Sequence, residues 1–354
     1  MLYSRLGTTG LIVSRLALGT MTFTQGKGNS AIAKTGQADA GAMIGRAIDA
    51  GINFFDTADI YAGGESETML GKAIGTRRDQ VVVATKAGWR AGAPLTRNGL
   101  SAAHLHWSID QSLTRLGMDH VDVYIAHRDD AHTPLEETLV ALDAIVRSGK
   151  ARYLGVSNWP AWKIAAAVEL QRANGWAPFS HVQMYYSLLG RGIEGEVGSM
   201  LGHYGLGLTA WSPLAGGFLS GKYTRENLSD TDNRLSGFDM LPFDKDKGFA
   251  LVETMRGIGA AHGASVAQVA LAWVLTRAHV ASVLVGASTL AQLDDNVAAA
   301  DLALTPDDLA TLDAATKPEF AFAYNVTRVP DGPIVAALAA KPGDKPQLEA
   351  KPVI

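Results

Sequence analysis

The stretch that decides the fold runs from residue 81 to residue 127 and reads VVVATKAGWRAGAPLTRNGLSAAHLHWSIDQSLTRLGMDHVDVYIAH. It begins with a short run of branched apolar residues, Val81–Ala84, and ends with another, Val121–Ile125. Runs of this length and composition are typical of buried strands, and a helical pattern lies between them. A strand, a helix and a second strand in this order form a βαβ unit, in which the two strands are parallel.

The same alternation extends along most of the chain and gives close to eight strands. Further strands are predicted at Leu16–Leu18, Ile52–Phe55, Tyr153–Val156, His181–Met184, Gly207–Ala210 and Val283–Val285. Eight β/α units favour a TIM (β/α)8 barrel, an α/β fold whose functional residues follow the carboxyl ends of the strands. A doubly wound open sheet is the alternative, but the segment Leu18-Gly19-Thr20-Met21-Thr22 lacks the G-x-G-x-x-G motif expected after its first strand.

Several segments outside the strands also carry local signals. Tyr3–Arg5 and Ile12–Ser14 flank a Gly-Thr-Thr-Gly turn, which predicts a β-hairpin that plugs the bottom of the barrel. Thr133-Pro134-Leu135-Glu136 and Thr305-Pro306-Asp307-Asp308 each predict a helix start with a capping threonine and a proline in the first turn. Between Asp39 and Ala50, a helix is predicted with a buried stripe of Ala42, Met43, Ala47 and Ile48.

The chain is predicted to form a single barrel domain over residues 1–354. The barrel itself is expected at about 15–310, with extra C-terminal helices and an irregular tail at about 316–354 that is partly ordered against the barrel. Two stretches, Gln25–Gln37 and Gly221–Lys247, are interpreted as insertions, and the second has the composition of a mobile loop over a ligand.

Composition narrows the class of function. The 354 residues include no cysteine, which excludes disulfides, thiolate metal ligands and thiol nucleophiles and favours a cytoplasmic location. The formal net charge is -4 and no long Lys/Arg cluster occurs, so neither a nucleic acid nor a membrane is expected as a partner. A small molecule is the expected partner, and the oligomeric state is left open.

The residues that follow the predicted strands are mostly polar, with one tryptophan and one glycine among them. These residues are Asp56, Lys86, His127, Ser157, Asn158, Gln183, Trp211 and Gly286. A packed structural layer would consist mainly of Val, Ile and Leu, so this ring of polar groups at the functional face of a barrel predicts a binding site.

Tyr61 follows Asp56 by five residues, which allows its phenol to turn back over the barrel mouth and meet Lys86. A neighbouring ammonium lowers the pKa of a phenol, Asp56 would hold Lys86, and His127 would share the proton of a substrate oxygen. Such a group suits general acid catalysis on a carbonyl. Taken singly, each residue also fits a structural role, such as an ordinary ion pair at the barrel end.

A metal site is the other chemical interpretation. A metal-dependent hydrolase built on Asp56 and His127 would need more ligands than the strand ends provide. His104 and His106 stand two residues apart in a predicted helix, where side chains do not share a face, so both are interpreted as partly exposed helix residues. No metal is expected.

The motifs at the strand ends are similar to those of the aldo-keto reductase superfamily. The resemblance is carried by Phe55-Asp56-Thr57-Ala58 with Tyr61, Lys86 after a Val-rich strand, Tyr124-Ile125-Ala126-His127, Gly155-Val156-Ser157-Asn158, Ala210-Trp211-Ser212-Pro213-Leu214 and Gly286-Ala287-Ser288. It covers roughly Leu16–Leu309. The branch it most resembles includes potassium-channel β subunits and many bacterial reductases.

The resemblance implies NADP(H)-dependent reduction of an aldehyde or ketone, or the reverse oxidation of an alcohol. It makes Tyr61 the proton donor, Lys86 and Asp56 its tuning pair, and His127 the group that orients the carbonyl. Gly286 and Gln292 stand where many members place a lysine and an arginine, yet NADP(H) is favoured over NAD(H) because this branch still uses it. The implied cofactor residues are Thr20, Met21, Asp56, Ser157, Asn158, Gln183, Trp211, Ser212, Pro213, Leu214, Gly216, Lys222, Arg234, Gly286, Ser288, Gln292, Asp295 and Asn296.

Two further expectations concern an alternative function and the substrate. The alternative function is a non-enzymatic nicotinamide-nucleotide-binding regulatory subunit, but such channel-associated barrels typically lack the histidine found here as His127. The residues expected to contact substrate are Phe23, Trp89, Arg128, Tyr185 and Tyr186. Their aromatic character indicates a fairly apolar, medium to large carbonyl or alcohol.

Overall fold

The computed structural model describes residues 1–228, 230, 234–237, 240–241 and 243–320. An N-terminal antiparallel hairpin consists of β1 (Tyr3–Arg5) and β2 (Ile12–Ser14). Eight parallel strands then close into a barrel in chain order, with the last strand paired to the first. They are β3 (Leu16–Gly19), β4 (Phe54–Asp56), β5 (Val82–Ala87), β6 (Val121–Ala126), β7 (Ala151–Ser157), β8 (Phe179–Tyr185), β9 (Gly207–Trp211) and β10 (Val280–Val285). The predicted TIM barrel is confirmed.

Helices follow the barrel strands and bury an apolar face against neighbouring elements. They are α1 (Gln37–Asp49), α2 (Glu65–Ile74), α3 (Ala102–Leu116), α4 (Leu135–Arg147), α5 (Ala161–Asn174), α6 (Glu196–Tyr204), α7 (Arg234–Gly237), α8 (Lys245–His262), α9 (Val266–Leu275), α10 (Leu290–Ala298) and α11 (Pro306–Ala315). Local signals bound several of them: the side chain of Ser101 accepts the N–H of His104 at the start of α3, and Gly117 ends that helix in the left-handed conformation.

Alternation along the strands decides which residues enter the barrel. Phe54 belongs to the apolar cluster inside the barrel, whereas Phe55 belongs to the cluster between strands and helices. Ala84 is also inside. Because residues two apart in a strand share a face, Asp56 and Lys86 continue the inward-facing rows of Phe54 and Ala84 at the upper end of the barrel.

The hairpin closes the opposite end of the barrel. Leu6 is fully buried in the interior cluster, and the hydroxyl of Ser4 donates to the carbonyl of Ala281 at 2.6 Å. Gly7 has a positive φ of 65°, and a Cβ there would lie 2.2 Å from the carbonyl oxygen of Ser180, so the turn requires glycine. The predicted plug is confirmed.

Some local predictions need correction. Thr133 does not cap α4: Pro134 takes the cap position without a side-chain bond, because the Thr133 hydroxyl donates to Asp130 instead. At α11 the Thr305 capping box is confirmed, with Asp308 as its partner. The buried residues of α1 are Ala40, Met43, Ile44 and Ala47. Ile48 is half-buried and packs against the core, whereas Ala42 is exposed, so the prediction is wrong for Ala42.

The ends of the predicted segments also differ in part. The strand predictions fall on the observed strands, with ends that shift by up to three residues. The second insertion contains the short helix α7 and the first turn of α8. The predicted tail lies mostly at 321–354, outside the described residues.

Within the described residues, no single helix is both long and apolar enough to cross a membrane. Helices α8 and α9 reach such a length and apolar composition only when taken together, and they are bent by 91° relative to each other. Eight of the ten residues of α9 are buried in the fold.

Candidate active site

Four candidate catalytic side chains meet at the upper rim of the barrel. Asp56 is the last residue of β4, Lys86 lies near the end of β5, and His127 directly follows β6. Tyr61 opens a short 3₁₀ turn, Tyr61–Gly64, in the loop after β4. Adjacent parallel strands place their carboxyl ends side by side, which brings these residues together from three neighbouring strands.

Lys86 is the centre of the cluster. Its ammonium group is fully buried and donates to a carboxylate oxygen of Asp56, to the carbonyl of Thr57 at 2.7 Å and to the Tyr61 hydroxyl at 3.3 Å. Gln183 donates to the second carboxylate oxygen of Asp56 at 2.9 Å. Burial alone would lower the pKa of Lys86, but the charge of Asp56 and the phenol raise it above its ordinary value, so Lys86 carries a charge.

The phenol of Tyr61 is protonated in this environment. Burial raises its pKa, the ammonium of Lys86 acts in the lowering direction, and the carboxylate of Asp56 raises it further. The net shift is upward, so the sequence-based expectation of a lowered pKa is wrong for this state of the protein, because loss of solvation outweighs the ammonium. A protonated phenol is the form that a proton donor requires.

His127 is neutral. Burial and the charges of Lys86 and Arg128 lower its pKa well below the ordinary value. Its ring stands edge-on to that of Tyr61, with 5.9 Å between ring centroids. Its Nδ1 is buried without a hydrogen-bond partner among the described residues. A neutral imidazole beside a phenol offers a second polar group to an oxygen bound between them.

Polar side chains at the ends of β7, β8 and β9 continue this cluster along the rim of the barrel. The indole N–H of Trp211 donates to the Asn158 side-chain oxygen at 3.1 Å, and the Asn158 amide donates to the hydroxyl of Ser157 at 2.9 Å. Asn158 adopts a positive φ of 57°. Together with Gln183, these side chains line the cavity beside Asp56 and His127. These contacts place amide and hydroxyl groups next to the aromatic ring of Trp211.

The backbone after Trp211 forms a tight turn that faces the cavity. Ser212, Ala215, Gly216 and Gly217 all have positive φ, and the Ser212 hydroxyl oxygen accepts the N–H of Gly216 at 3.0 Å. Successive residues in left-handed conformation orient backbone N–H groups toward one side, which creates a concavity for anions. Pro213 and Leu214 line the same part of the wall.

Cationic side chains lie near this turn. Burial and the charges of Arg234 and Lys34 lower the pKa of Lys222. Burial also lowers the pKa of Arg234, whose buried Nε has no hydrogen-bond partner among the described residues. All three cations line the cavity, so this part of its wall is suited to a phosphate-bearing ligand.

The far end of the wall is formed by the loop after β10 and by α10. The amide of Asn296 donates to the carbonyl of Gly286 at 3.2 Å, and the N–H of Ser288 donates to the side chain of Gln292 at 2.8 Å. Asp295 accepts from Ser265 and Gln268 at 2.9 and 2.7 Å. These residues, which the resemblance implied as cofactor residues, fix the shape of this end of the cavity.

One cavity of about 760 Å³ connects all these parts. Most of the residues named from the sequence line it, but six do not: Thr20, Phe23, Lys86, Arg128, Tyr185 and Tyr186. Lys86 does not line the cavity but contacts Asp56 and Tyr61, which do. Thr20 is fully buried and bonds to Asp56 and Ser66, so it supports the loop instead of facing a ligand.

The substrate assignments need the largest correction. Phe23 is fully buried in the hydrophobic core, and Tyr186 is fully buried with its hydroxyl bound to Glu194 at 2.8 Å, so neither has surface for a substrate. Arg128 stacks on the Trp89 ring at 4.3 Å, and Tyr185 stacks on Trp211 with centroids 5.3 Å apart. Of the five, Trp89 alone lines the cavity, at the side of His127.

Sequence reasoning missed several residues of the two insertions that line the cavity: Asn29, Ile32, Lys34, Leu235, Met240 and Leu241. The two segments meet, since the amide of Asn29 donates to the carbonyl of Gly237 at 3.2 Å. The sequence analysis identified both segments as insertions, but no motif within them marks the individual residues that line the cavity.

The two histidines of α3 lie in different surroundings, and His106 is partly exposed as expected. His104 is fully buried, which corrects the expectation of partial exposure, and its Nε2 lies 3.3 Å from the carbonyl of Trp89. The described residues include no cluster of three or more His, Asp or Glu side chains arranged to hold a metal ion.

Comparisons with known proteins agree with the resemblance. The model of the aldo/keto reductase family matches residues 15–317. A protein of Oryza sativa subsp. japonica named probable voltage-gated potassium channel subunit beta is 39% identical over 317 residues, covering 86% of this chain and 94% of that protein. An Arabidopsis thaliana protein with the same name is 36% identical, with the same coverage. A Bacillus subtilis (strain 168) protein named uncharacterized oxidoreductase YrpG is 36% identical over 85% of this chain and 92% of its own length.

Proposed function

Because this chain belongs to the aldo/keto reductase family, we propose that it reduces an aldehyde or ketone to an alcohol, or catalyses the reverse oxidation, with NADP(H) as hydride carrier. Family membership supports an oxidoreductase. The roles of individual residues, the cofactor and the class of substrate are part of the proposal. Its main support is the contact of 3.3 Å between the Lys86 ammonium and the Tyr61 hydroxyl at the edge of a large cavity.

The cavity suits a dinucleotide along its length. Ser157, Asn158 and Gln183 would hold the carboxamide of a nicotinamide, with Trp211 against its ring. The positive-φ turn, Lys222 and Arg234 would take the pyrophosphate, and the unpartnered Nε of Arg234 among the described residues fits such a role. Bound at this place, a reduced nicotinamide supplies the hydride.

Tyr61 would protonate the substrate oxygen while the carbonyl carbon gains the hydride. Its protonated state supplies the proton, and the Lys86 ammonium would stabilise the phenolate that remains. Asp56 and Gln183 keep Lys86 in place. His127 would orient the carbonyl by hydrogen bonding. In the oxidation direction, the phenolate accepts the alcohol proton.

Part of the cavity wall favours an uncharged substrate. Ile60, Trp89, Met240 and Leu241 line the cavity with apolar side chains. The guanidinium of Arg128 stacks on Trp89 and donates to the carbonyl of Gly88 at 3.2 Å, so its charge supports the wall and does not face the ligand. We therefore propose an apolar aldehyde or ketone of medium to large size.

Tyr61→Phe tests the mechanism. The variant keeps the ring and removes the proton, so we expect turnover of a responsive carbonyl to fall by about 10²–10⁴, the range for general acid catalysis. NADPH oxidation is followed at the nicotinamide absorbance band over a panel of aldehydes and ketones. Binding of NADPH should be retained, and wild-type turnover in the variant would disprove the role of Tyr61.

The names of the plant relatives favour a second candidate, a nucleotide-binding subunit that regulates a channel. The presence of His127 beside Tyr61 supports the enzyme, because it completes the polar group around a carbonyl oxygen. Tight NADPH binding, a stable complex with a membrane channel and no turnover over the whole panel would favour the subunit.

A further inference from the structure

A second group of buried polar side chains lies on the outer face of β5, behind the candidate active site. Thr85 precedes Lys86 in this strand, so the two side chains point to opposite faces of the sheet. The Thr85 hydroxyl donates to the Glu67 carboxylate at 2.5 Å, and Arg115 donates to its second oxygen at 2.5 Å. Asp59 is 8% exposed and lies close enough to Glu67 for their charges to interact. The proposed function does not use Asp59, Glu67, Thr85 or Arg115.

Asp59 connects this group to the turn that carries Tyr61. Its N–H donates to the carbonyl of Lys86 at 3.1 Å, and one carboxylate oxygen accepts the hydroxyl of Ser108 in α3 at 2.6 Å. Tyr61 follows two residues later, and its N–H donates to the carbonyl of Ala58 at 3.1 Å. The turn that presents the phenol is therefore attached at Asp59 both to the backbone of β5 and to a helix outside the barrel.

The carboxyl group of Asp59 has an unusual electrostatic environment. Its Oδ1 is buried without a hydrogen-bond partner among the described residues. Burial raises its pKa to about 7, although the hydrogen bond from Ser108 acts in the lowering direction. The titratable groups that face it are Glu67 of α2, Arg115 of α3, Tyr124 of β6 and Tyr61 of its own loop. Burial is the main reason why the pKa of Tyr61 is raised, and the charge of Asp59 acts in the same direction.

We propose that Asp59 is a positioning residue: its anchor at Ser108 keeps the phenol of Tyr61 beside the buried ammonium group. The inference rests on the proposed function, in which Tyr61 donates the proton. Asp59 does not line the cavity, so it acts through the turn and through its charge. The ionised form of Asp59 opposes a phenolate nearby and therefore favours the protonated phenol.

The test compares Ser108→Ala and Asp59→Asn with the control Asp143→Asn in the full chain. Ser108→Ala removes the anchoring hydrogen bond, whereas Asp59→Asn keeps an acceptor oxygen for Ser108 and removes the charge. Asp143 is also 8% exposed, but it pairs with Arg147 in α4 and does not line the cavity.

Two kinds of measurement are made on each protein. The first is the rate of hydride transfer, measured as single-turnover NADPH oxidation with a responsive carbonyl and as alcohol oxidation over a range of pH. The second is the NMR resonance of Tyr61 in protein whose tyrosines carry carbon-13 at Cζ, identified by its loss in Tyr61→Phe.

In Ser108→Ala, we expect the single-turnover rate to fall at least about ten-fold, because a small displacement of a reacting group is costly. The Tyr61 resonance should shift, and NADPH binding should be retained. In Asp59→Asn, reduction at pH 6 should be close to wild type, since Asp59 is itself mostly protonated there. The pH profile of alcohol oxidation should move to lower pH by at least about 0.3 unit, because no charge at this position opposes the phenolate.

The wild-type resonance of Tyr61 should also move with a midpoint near pH 7 as Asp59 ionises, and this step should be absent in Asp59→Asn. The control Asp143→Asn should match the wild type in every measurement. The role of Asp59 is overturned if Ser108→Ala reacts at the wild-type rate, if Asp59→Asn keeps the step near pH 7, or if the control loses as much activity as Ser108→Ala.

The NMR measurements need no turnover, which separates this inference from the proposed function. If the Tyr61 resonance responds to Ser108→Ala and to the ionisation of Asp59 while the wild type reduces no carbonyl, the proposed function fails and the inference stands. If the wild type turns over normally and Ser108→Ala does so equally well, only the inference fails.

Discussion

The buried ion pair of Lys86 and Asp56 makes a quantitative prediction for Lys86→Met. The side chains of Lys86 and Asp56 are 0% and 4% exposed. Removing the ammonium leaves a buried carboxylate with Gln183 as its remaining side-chain partner among the described residues. Breaking a buried pair by removing one partner costs about 3–5 kcal/mol, because the other charge stays desolvated. At an unfolding entropy of about 2.1 cal/mol/K per residue, that cost lowers Tm by roughly 4–7 °C.

The double variant Asp56→Asn/Lys86→Met is the control. It removes both charges and retains side chains of similar volume, so most of the lost stability should return even though activity stays low. Free energies of unfolding come from urea titrations followed by circular dichroism, with turnover measured on the same samples. The reasoning is refuted if Lys86→Met unfolds like the wild type, or if the double variant is destabilised by the sum of the two single changes.

Three further outcomes can be measured on single variants. Burial raises the pKa of Asp59 to about 7, so the folded state binds this proton more tightly than the unfolded state does. The stability that this proton contributes is lost as pH rises from about 4 through 7. In Asp59→Asn, the fall in Tm between pH 5 and pH 8 should therefore be smaller than in the wild type. Gly71→Ala should destabilise the protein, since its Cβ would lie 2.0 Å from the carbonyl oxygen of Leu116, whereas Gly41→Ala in α1 has open space and should be neutral or stabilising by up to about 1 kcal/mol. Trp89→Ala should raise KM for bulky apolar carbonyls by about ten-fold and leave small aliphatic aldehydes nearly unchanged; a uniform loss of kcat would contradict its role as a wall of the substrate site.

The sequence was most informative where the fold converts order along the chain into position. A barrel places the carboxyl end of every strand on one rim, so the residues that end the strands could be grouped from the strand pattern alone. Asp56, Lys86 and His127 are far apart in sequence and adjacent in space for this reason. The turn that returns Tyr61 to Lys86 is local, and five residues of loop are enough to form it.

Packing against distant segments could not be predicted in the same way. Phe23 and Tyr186 were assigned to the substrate because they follow strand ends, but their rings point into the layer beneath the helices. Lys34 was not identified, because its place in the cavity depends on hydrogen bonds between Thr22 and the loop after β10. Such contacts join segments far apart in the chain and leave no periodic signal.

The direction of the Tyr61 pKa shift also depended on packing, and it bears on how the two candidate proton-transfer groups divide their roles. The sequence predicted the neighbouring ammonium of Lys86 but not how deeply Tyr61 is buried, and burial makes the largest contribution to the pKa shift of Tyr61. The same burial keeps His127 neutral at physiological pH, so a histidinium does not supply the proton. Between a neutral imidazole and a protonated phenol in contact with an ammonium, the phenol is the group whose deprotonated form is stabilised by a neighbour. The charge of Lys86 stabilises the deprotonated form of Tyr61, whereas His127 is already neutral and would have to become an imidazolate to give up a further proton, so we propose that Tyr61 transfers the proton and that His127 orients the carbonyl.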